Sequence, residues 1–454
     1  MKILFVQPAN TTNKNFINSI FKKIKITSIP PLTLQQVAAL TPKKYKVELV
    51  DDNFEKIPYK KKVDLVGITA RTCSVLRAYE IADEFRKYGI PVVLGGYHVS
   101  GLPEEALQHA DSVIIGDAEN TWPQLLDDFE QGHMKKKYVA SIPPDPTMIK
   151  SPMRNLVCDI SITATIQASR GCPHNCEFCA LPNITPYGSI SRTRPISDMI
   201  AEIKGIKQKF IAFLDPSISI QPEYFKKLFT AMIPLKKKFS AYANIDIAYD
   251  DEFLELAKKA GFKSLSIGFD SISQETMNTV GKKINKVENY KEVVKKIYDY
   301  GFSVIGCFIF GFDTDKPDIF ETTSQAISQL DLDCIRVNIL TPLPGTPIFH
   351  KMDQEKRILT YDWSKYDYQH VVFQPKHMSP NELLEGTKRV IIDFFNMNNI
   401  TKKILLNLKK DLINKDLNYT AMITSYLISS YIYHQNLVGL NPLIRKLGIN
   451  EIQV

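Results

Sequence analysis

The chain has 454 residues and a formal net charge of +8, which is too long for one ordinary core, so at least two domains are expected. With 44% hydrophobic and 23% charged residues, the composition excludes a disordered or fibrous chain. The basic surplus is scattered over lysines rather than gathered in a patch, so no nucleic-acid partner is expected.

The first segment, "MKILFVQPAN", carries a short apolar run that breaks at Gln7-Pro8. That is too short for a signal peptide and reads as a buried strand. From here to about residue 130, apolar runs ("KILFVQP", "KVELVDD", "VDLVGIT", "PVVLGGYH", "SVIIGD") alternate with helical patterns. Strands buried on both faces read as continuous apolar runs, and this alternation predicts a doubly wound, Rossmann-like parallel sheet over 1–130. Ligands of such sheets bind beyond the carboxyl ends of the strands. Those ends carry Thr69, Gly95, Gly96, Gly116 and Glu119, small or polar residues that admit a large flat ligand close to the backbone. Simple turn chemistry is the alternative for each of them singly.

Residues 131–164 are rich in proline and lysine and read as a linker. Over 165–350 the alternation resumes for about six βα units, the pattern of a partial parallel barrel, with a second open sheet as the alternative. Residues 351–454 read as a mainly helical region. Within it 421–440 is expected to be a core or docking helix, with interfacial membrane contact as the lesser reading. No run of about 18 apolar residues occurs, so no transmembrane segment is expected. The odd count of seven cysteines, without a secretory signal, points to a reducing, cytoplasmic compartment with thiols free or on metal.

Three of the seven stand together in "ASRGCPHNCEFCALP" as Cys172, Cys176 and Cys179. Thiolates so closely spaced on one loop suit an iron–sulfur cluster. A structural zinc wants a fourth protein ligand, and His174 keeps a Cys3His zinc site open as an alternative.

The Cys-x3-Cys-x2-Cys spacing, the flanking "RGCPHNCEFCALP" and the βα units that follow resemble the radical SAM superfamily. The preceding doubly wound domain, with "VVLGGYHVSGLPEEAL", "SVIIGDAENTWPQLL", "FIFGFDTDKPDIF" and "ILTPLPGTPIF", narrows the likeness to its cobalamin-binding group. The nearest look is to the branch of hopanoid C-2 methylases and the anaerobic bacteriochlorophyll cyclase. The resemblance implies a (βα)6 partial TIM barrel. It also implies three cofactors: a [4Fe-4S] cluster on Cys172, Cys176 and Cys179, S-adenosyl-L-methionine (SAM) on the open iron, and cobalamin in the N-terminal domain. It places Phe178 beside the adenine, and Asp215, Asn244, Asp270 and Arg194 among the SAM contacts at strand ends. Asp270 stands where relatives commonly carry glutamate.

The activity implied is C-methylation of an unactivated carbon, by a 5′-deoxyadenosyl radical and a methyl group from cobalamin. Cobalamin-dependent cyclisation or rearrangement is the alternative, and a cobalamin-sensing or electron-carrying protein the non-enzymatic one. The expected partners are a small-molecule or lipid-like substrate and an external one-electron donor such as a ferredoxin or flavodoxin. The Asp-x-His-x-x-Gly motif of histidine-ligated cobalamin is absent. His98 is the one histidine at a strand end of this domain, and it is expected at least as often to face solvent. Cys73, Cys158, Cys307 and Cys334 show no cluster spacing, and Tyr366, Tyr368 and His370 are either packing residues or donors near the substrate.

Overall fold

The structure is a computed structural model that describes residues 1–9, 26–27, 32–157, 160–161 and 163–414 and the single positions 424, 427 and 430. Its N-terminal sheet is built from β1 (Lys2–Gln7), β2 (Lys46–Asp51), β3 (Leu65–Thr69), β4 (Val92–Gly95), β5 (Ser112–Ile115) and β6 (Lys137–Val139). All pairs are parallel, in the order β2-β1-β3-β4-β5-β6. Ile3, Leu4, Phe5 and Val6 are all buried, as expected of a strand covered on both faces by helices. The sixth strand falls inside the stretch expected as linker. Lysines at 135–137 hid it, yet Tyr138 is buried and its hydroxyl donates to Asp128 Oδ2 at 2.8 Å.

The second sheet consists of β7 (Thr163–Ile166), β8 (Phe210–Phe213), β9 (Lys238–Ala243), β10 (Phe262–Asp270), β11 (Ser303–Phe310) and β12 (Cys334–Ile339). The six lie side by side in chain order and run parallel, the partial barrel that the repeated βα pattern predicts. Along β9, Phe239, Ala241 and Ala243 are buried while Lys238, Ser240 and Tyr242 retain access to solvent. That period of two separates the helix-covered face from the lumen.

One face of the N-terminal sheet and the barrel share a continuous apolar core. The other face packs a second cluster around Trp122 and the helix Thr33–Leu40. The two halves also meet through backbone: a Cβ on Gly101, at the end of the helix Tyr97–Gly101, would stand 2.6 Å from Pro344 O. Pro344 belongs to "LTPLPGTPIF", a proline-stiffened loop after β12 that reads equally as a rigid turn or as a wall over the barrel mouth. The structure seats it at the junction of the two domains, with Ile348 N donating to Glu177 O in the cysteine loop at 3.3 Å.

Helices Pro347–Gln354, Pro380–Phe394 and Met397–Asn414 follow. The expected helix at 421–440 lies outside the described residues apart from three positions. Of these, Leu427 is buried and Ser430 Oγ donates to Ile335 O at 2.5 Å on β12. Cys158 also lies outside the described residues.

Candidate functional site

A cavity of about 600 Å³ opens at the carboxyl ends of β3, β4 and β5, where a parallel sheet presents its ligand. Thr69, Gly95, Gly96, Gly116 and Glu119 all line it. The helix Thr33–Leu40 contributes Leu34, Gln36 and Val37, and the floor reaches Phe5, Gly67 and Trp122. From the barrel side Gln167, Arg170, Gly171 and Asp215 close it, so the strand ends of one domain and the root of the cysteine loop share one space.

This cavity fits a corrin. Gln36 Nε2, Glu119 Oε2 and Arg192 Nε and Nη1 are buried without a hydrogen-bond partner, and all three residues line the cavity. A buried polar atom left unpaired costs about 1–3 kcal/mol. The amide-fringed rim of cobalamin offers both donors and acceptors to such a set. Among the described residues that line the cavity there is no histidine. His98 is buried instead, with Nε2 3.1 Å from Glu105 Oε1 and its ring edge-on to Trp363 at 5.1 Å. Its expected solvent-facing place is thus corrected to one inside a domain interface.

The cysteine loop leaves a short antiparallel ladder, Ser169–Arg170 with Arg192–Thr193. Gly171 turns it at φ +82°, where a Cβ would meet Ile190 O at 2.1 Å, so only glycine fits. Cys172 N donates to Gly188 O at 3.0 Å, and Asn183 Nδ2 ties down the carbonyls of Cys176 and Cys179 at 3.0 and 2.8 Å. Burial pushes the Cys176 thiol up to about 12 and the Cys179 thiol up to about 11. Bare thiolates are disfavoured there, and iron, by its charge, reverses that. A cube's thiolates each hold a separate iron corner and need not converge on one point. Among the described residues no three His, Cys, Asp or Glu side chains converge on a single ion. His174, the fourth ligand of the zinc alternative, places Nε2 3.3 Å from Asn244 Nδ2.

Phe178 packs edge-on against Phe312 at 5.5 Å. Asp215 is buried and accepts from Ala168 N, from Ser169 N at 2.5 Å and from Ser169 Oγ at 2.6 Å; burial raises its pKa to about 6 against these bonds. It thereby braces the strand that enters the cysteine loop. Arg194 is also buried, pairing with Glu202 Oε2 at 2.7 Å and donating to Gln167 O at 3.1 Å. Asp270, at φ +61°, pairs with Lys282 Nζ at 2.5 Å. Lys282 was not foreseen: in "TVGKKIN" it reads as one of many surface lysines, yet it is buried and also donates to Gly268 O at 2.8 Å. Burial opposes its charge, but Asp270 outweighs burial and raises its pKa; the ammonium in turn favours the thiolates of Cys172, Cys176 and Cys179.

Residues 166–327 match the radical SAM superfamily and residues 27–126 the B12 binding domain. A bacteriochlorophyllide d C-12(1)-methyltransferase of Chlorobaculum tepidum is 34% identical over 373 residues, 78% of this chain and 80% of that one. The chain belongs to the cobalamin-binding radical SAM family. A bacteriochlorophyllide d C-8(2)-methyltransferase of the same organism is 31% identical, covering 84% of this chain and 89% of its own. The fold matches the cobalamin-dependent radical enzyme OxsB with a TM-score of 0.66 at 14% identity, over 100% of this chain and 82% of that one. As a member of this family the chain is a methyltransferase that uses a [4Fe-4S] cluster, SAM and cobalamin for radical C-methylation.

Proposed function

We propose that this enzyme methylates an unactivated carbon on an apolar, ring-shaped substrate of the bacteriochlorophyllide type, held between the corrin cavity and the cysteine loop. One observation supports the reading: Gly171, next to Cys172, lines the same cavity as Gly95 and Gly96, so the proposed corrin and cluster sites border one space. When bound, the cluster and SAM supply the hydrogen-abstracting radical and cobalamin supplies the methyl group.

The chain's own residues position and shield. In this reading Thr69, Gly95, Gly96, Gly116 and Glu119 hold the corrin, and Cys172, Cys176 and Cys179 hold the cluster. Phe178 and Asn244 flank SAM, Asp215 and Arg194 brace the strands beneath it, and the Asp270–Lys282 pair offers its cation to SAM and cluster. Tyr97 lines the cavity and is 47% exposed, offering an aromatic face that suits a planar ring system. An external one-electron donor of the ferredoxin or flavodoxin class reduces the cluster. No helix among the described residues is long and apolar enough to cross a membrane, and an apolar substrate is reached by peripheral contact.

The test is anaerobic turnover of the reconstituted enzyme with bacteriochlorophyllide d and SAM labelled in its methyl group. Label in the product, with release of 5′-deoxyadenosine, is the expected result. Product without label would instead establish cyclisation or rearrangement, and purified protein with iron but no affinity for corrin would overturn the N-terminal assignment.

A further inference from the structure

Arg170 stands two residues before the first loop cysteine. Its guanidinium leaves the barrel and enters the wall of the corrin cavity. Nη1 donates to Glu119 Oε1 at 2.6 Å and lies 3.5 Å from Asp117 Oδ1, while Nη2 donates to Gln36 Oε1 at 3.2 Å and Nε to Gln167 Oε1 at 3.0 Å. Its ladder partner Arg192 donates from Nη2 to Asp117 Oδ2 at 3.1 Å. A planar fork satisfied on three sides has one geometry, unlike a lysine point charge.

Glu119 and Gln36 each divide their two polar atoms in the same way. One atom is taken by Arg170; the other, Glu119 Oε2 or Gln36 Nε2, is buried without a partner at the edge of the cavity. These side chains are 2% and 5% exposed. A ligand that pairs the second atoms fixes the side chains, and with them the arginine that roots the cysteine loop.

We propose that Arg170 is a positioning residue that couples occupancy of the corrin cavity to occupancy of the cysteine loop, so that cobalamin and SAM bind with positive cooperativity. The proposal rests on the cofactor reading above. Cobalamin, by pairing Glu119 and Gln36, favours the arrangement in which both hold Arg170, and SAM then meets a loop whose root is already in that arrangement. Linkage requires the reverse effect to be equal in size.

The experiment uses full-length protein with its cluster reconstituted. SAM affinity is measured by equilibrium dialysis with and without hydroxocobalamin, and hydroxocobalamin affinity with and without SAM. In the wild type each cofactor is expected to tighten the other by about tenfold, within the usual range of coupling. In Gln36→Leu, which also loses one corrin contact and so binds hydroxocobalamin more weakly, and in Arg170→Lys, the factor falls below about twofold when each affinity is measured with the other cofactor absent and then saturating. The electron paramagnetic resonance spectrum of the reduced cluster with SAM changes on adding cobalamin in the wild type and not in the variants. Equal SAM affinity with and without cobalamin in the wild type overturns the proposal, as does coupling that survives both substitutions. If Arg170→Lys lowers cluster content, Gln36→Leu decides alone, since Gln36 sits on a helix of the other domain. Protein that holds its cluster but binds neither corrin nor SAM overturns the cofactor reading rather than the coupling.

Discussion

Taking away the Lys282 ammonium leaves the Asp270 carboxylate buried without its cation, beside three cysteines whose thiolates the same ammonium favours. Breaking one side of a buried pair costs about 3–5 kcal/mol, so Lys282→Met is expected to lower the unfolding free energy, measured by urea titration, by that much. Lys282→Arg, which keeps the charge, should recover most of the loss. Cys176→Ala is expected to abolish iron and sulfide uptake in reconstitution while leaving hydroxocobalamin binding intact, since Cys176 is not among the described residues that line the cavity. At this scale the thiols were legible because ligand spacing is a local property of the chain. Asp215, Arg194 and Asp270 were expected at strand ends among the SAM contacts, and nothing in their local sequence pointed to the partners they have in the fold. Whether a carboxylate faces a ligand or a backbone amide depends on side chains tens of residues away, as with Asp215 and Ser169.

The turn after β11 joins element to site. Asp315 accepts from Gly311 N at 2.8 Å and Phe312 N at 3.0 Å, and Phe312 is the ring against which Phe178 packs. Burial raises the Asp315 pKa to about 7 despite both bonds. Between about pH 4 and 7 the folded state therefore keeps a proton that the unfolded chain has lost, so stability falls as pH rises through that window. The slope approaches about 1.4 kcal/mol per pH unit when one whole proton is involved. Asp315→Asn retains an oxygen for the two amides and cannot ionise, so its unfolding free energy should lose this slope between pH 4 and 7. An unchanged slope in urea titrations across that range would refute the assignment. Elements with a strong period were legible in advance, the repeated βα units of the barrel among them. β6 was missed because three residues beside a lysine run carry no period, and only the neighbouring β5 makes them a strand.

The two domains are tied by a polar latch as well as by apolar core. Glu105 accepts from Tyr79 OH at 2.9 Å, lies 3.1 Å from His98 Nε2, and accepts from Trp363 Nε1 at 3.1 Å, the tryptophan reaching back from the C-terminal region. Burial pushes Glu105 up, and these partners outweigh it and hold its carboxyl below the ordinary range. Trp363→Phe keeps the ring and removes one bond to a charged acceptor, a loss of about 1.5–3 kcal/mol. Faster proteolysis in 140–157, between the two sheets, is the expected sign. The two-domain plan was legible from alternating patterns, but this latch joins residues 258 positions apart, beyond the reach of any local pattern.

The contact of Gly101 with Pro344 acts on the same scale by different means. The helix Tyr97–Gly101 is little more than one turn long. One end is pinned by main chain resting on main chain, and the other carries Tyr97, which lines the cavity. Such a seam contains no rotamer that can relax, so it behaves as a fixed stop between the domains. Side-chain variation around Tyr97 can reshape the cavity without altering the distance between the two main chains here. To change that distance, the main chain itself would have to take another route at this point.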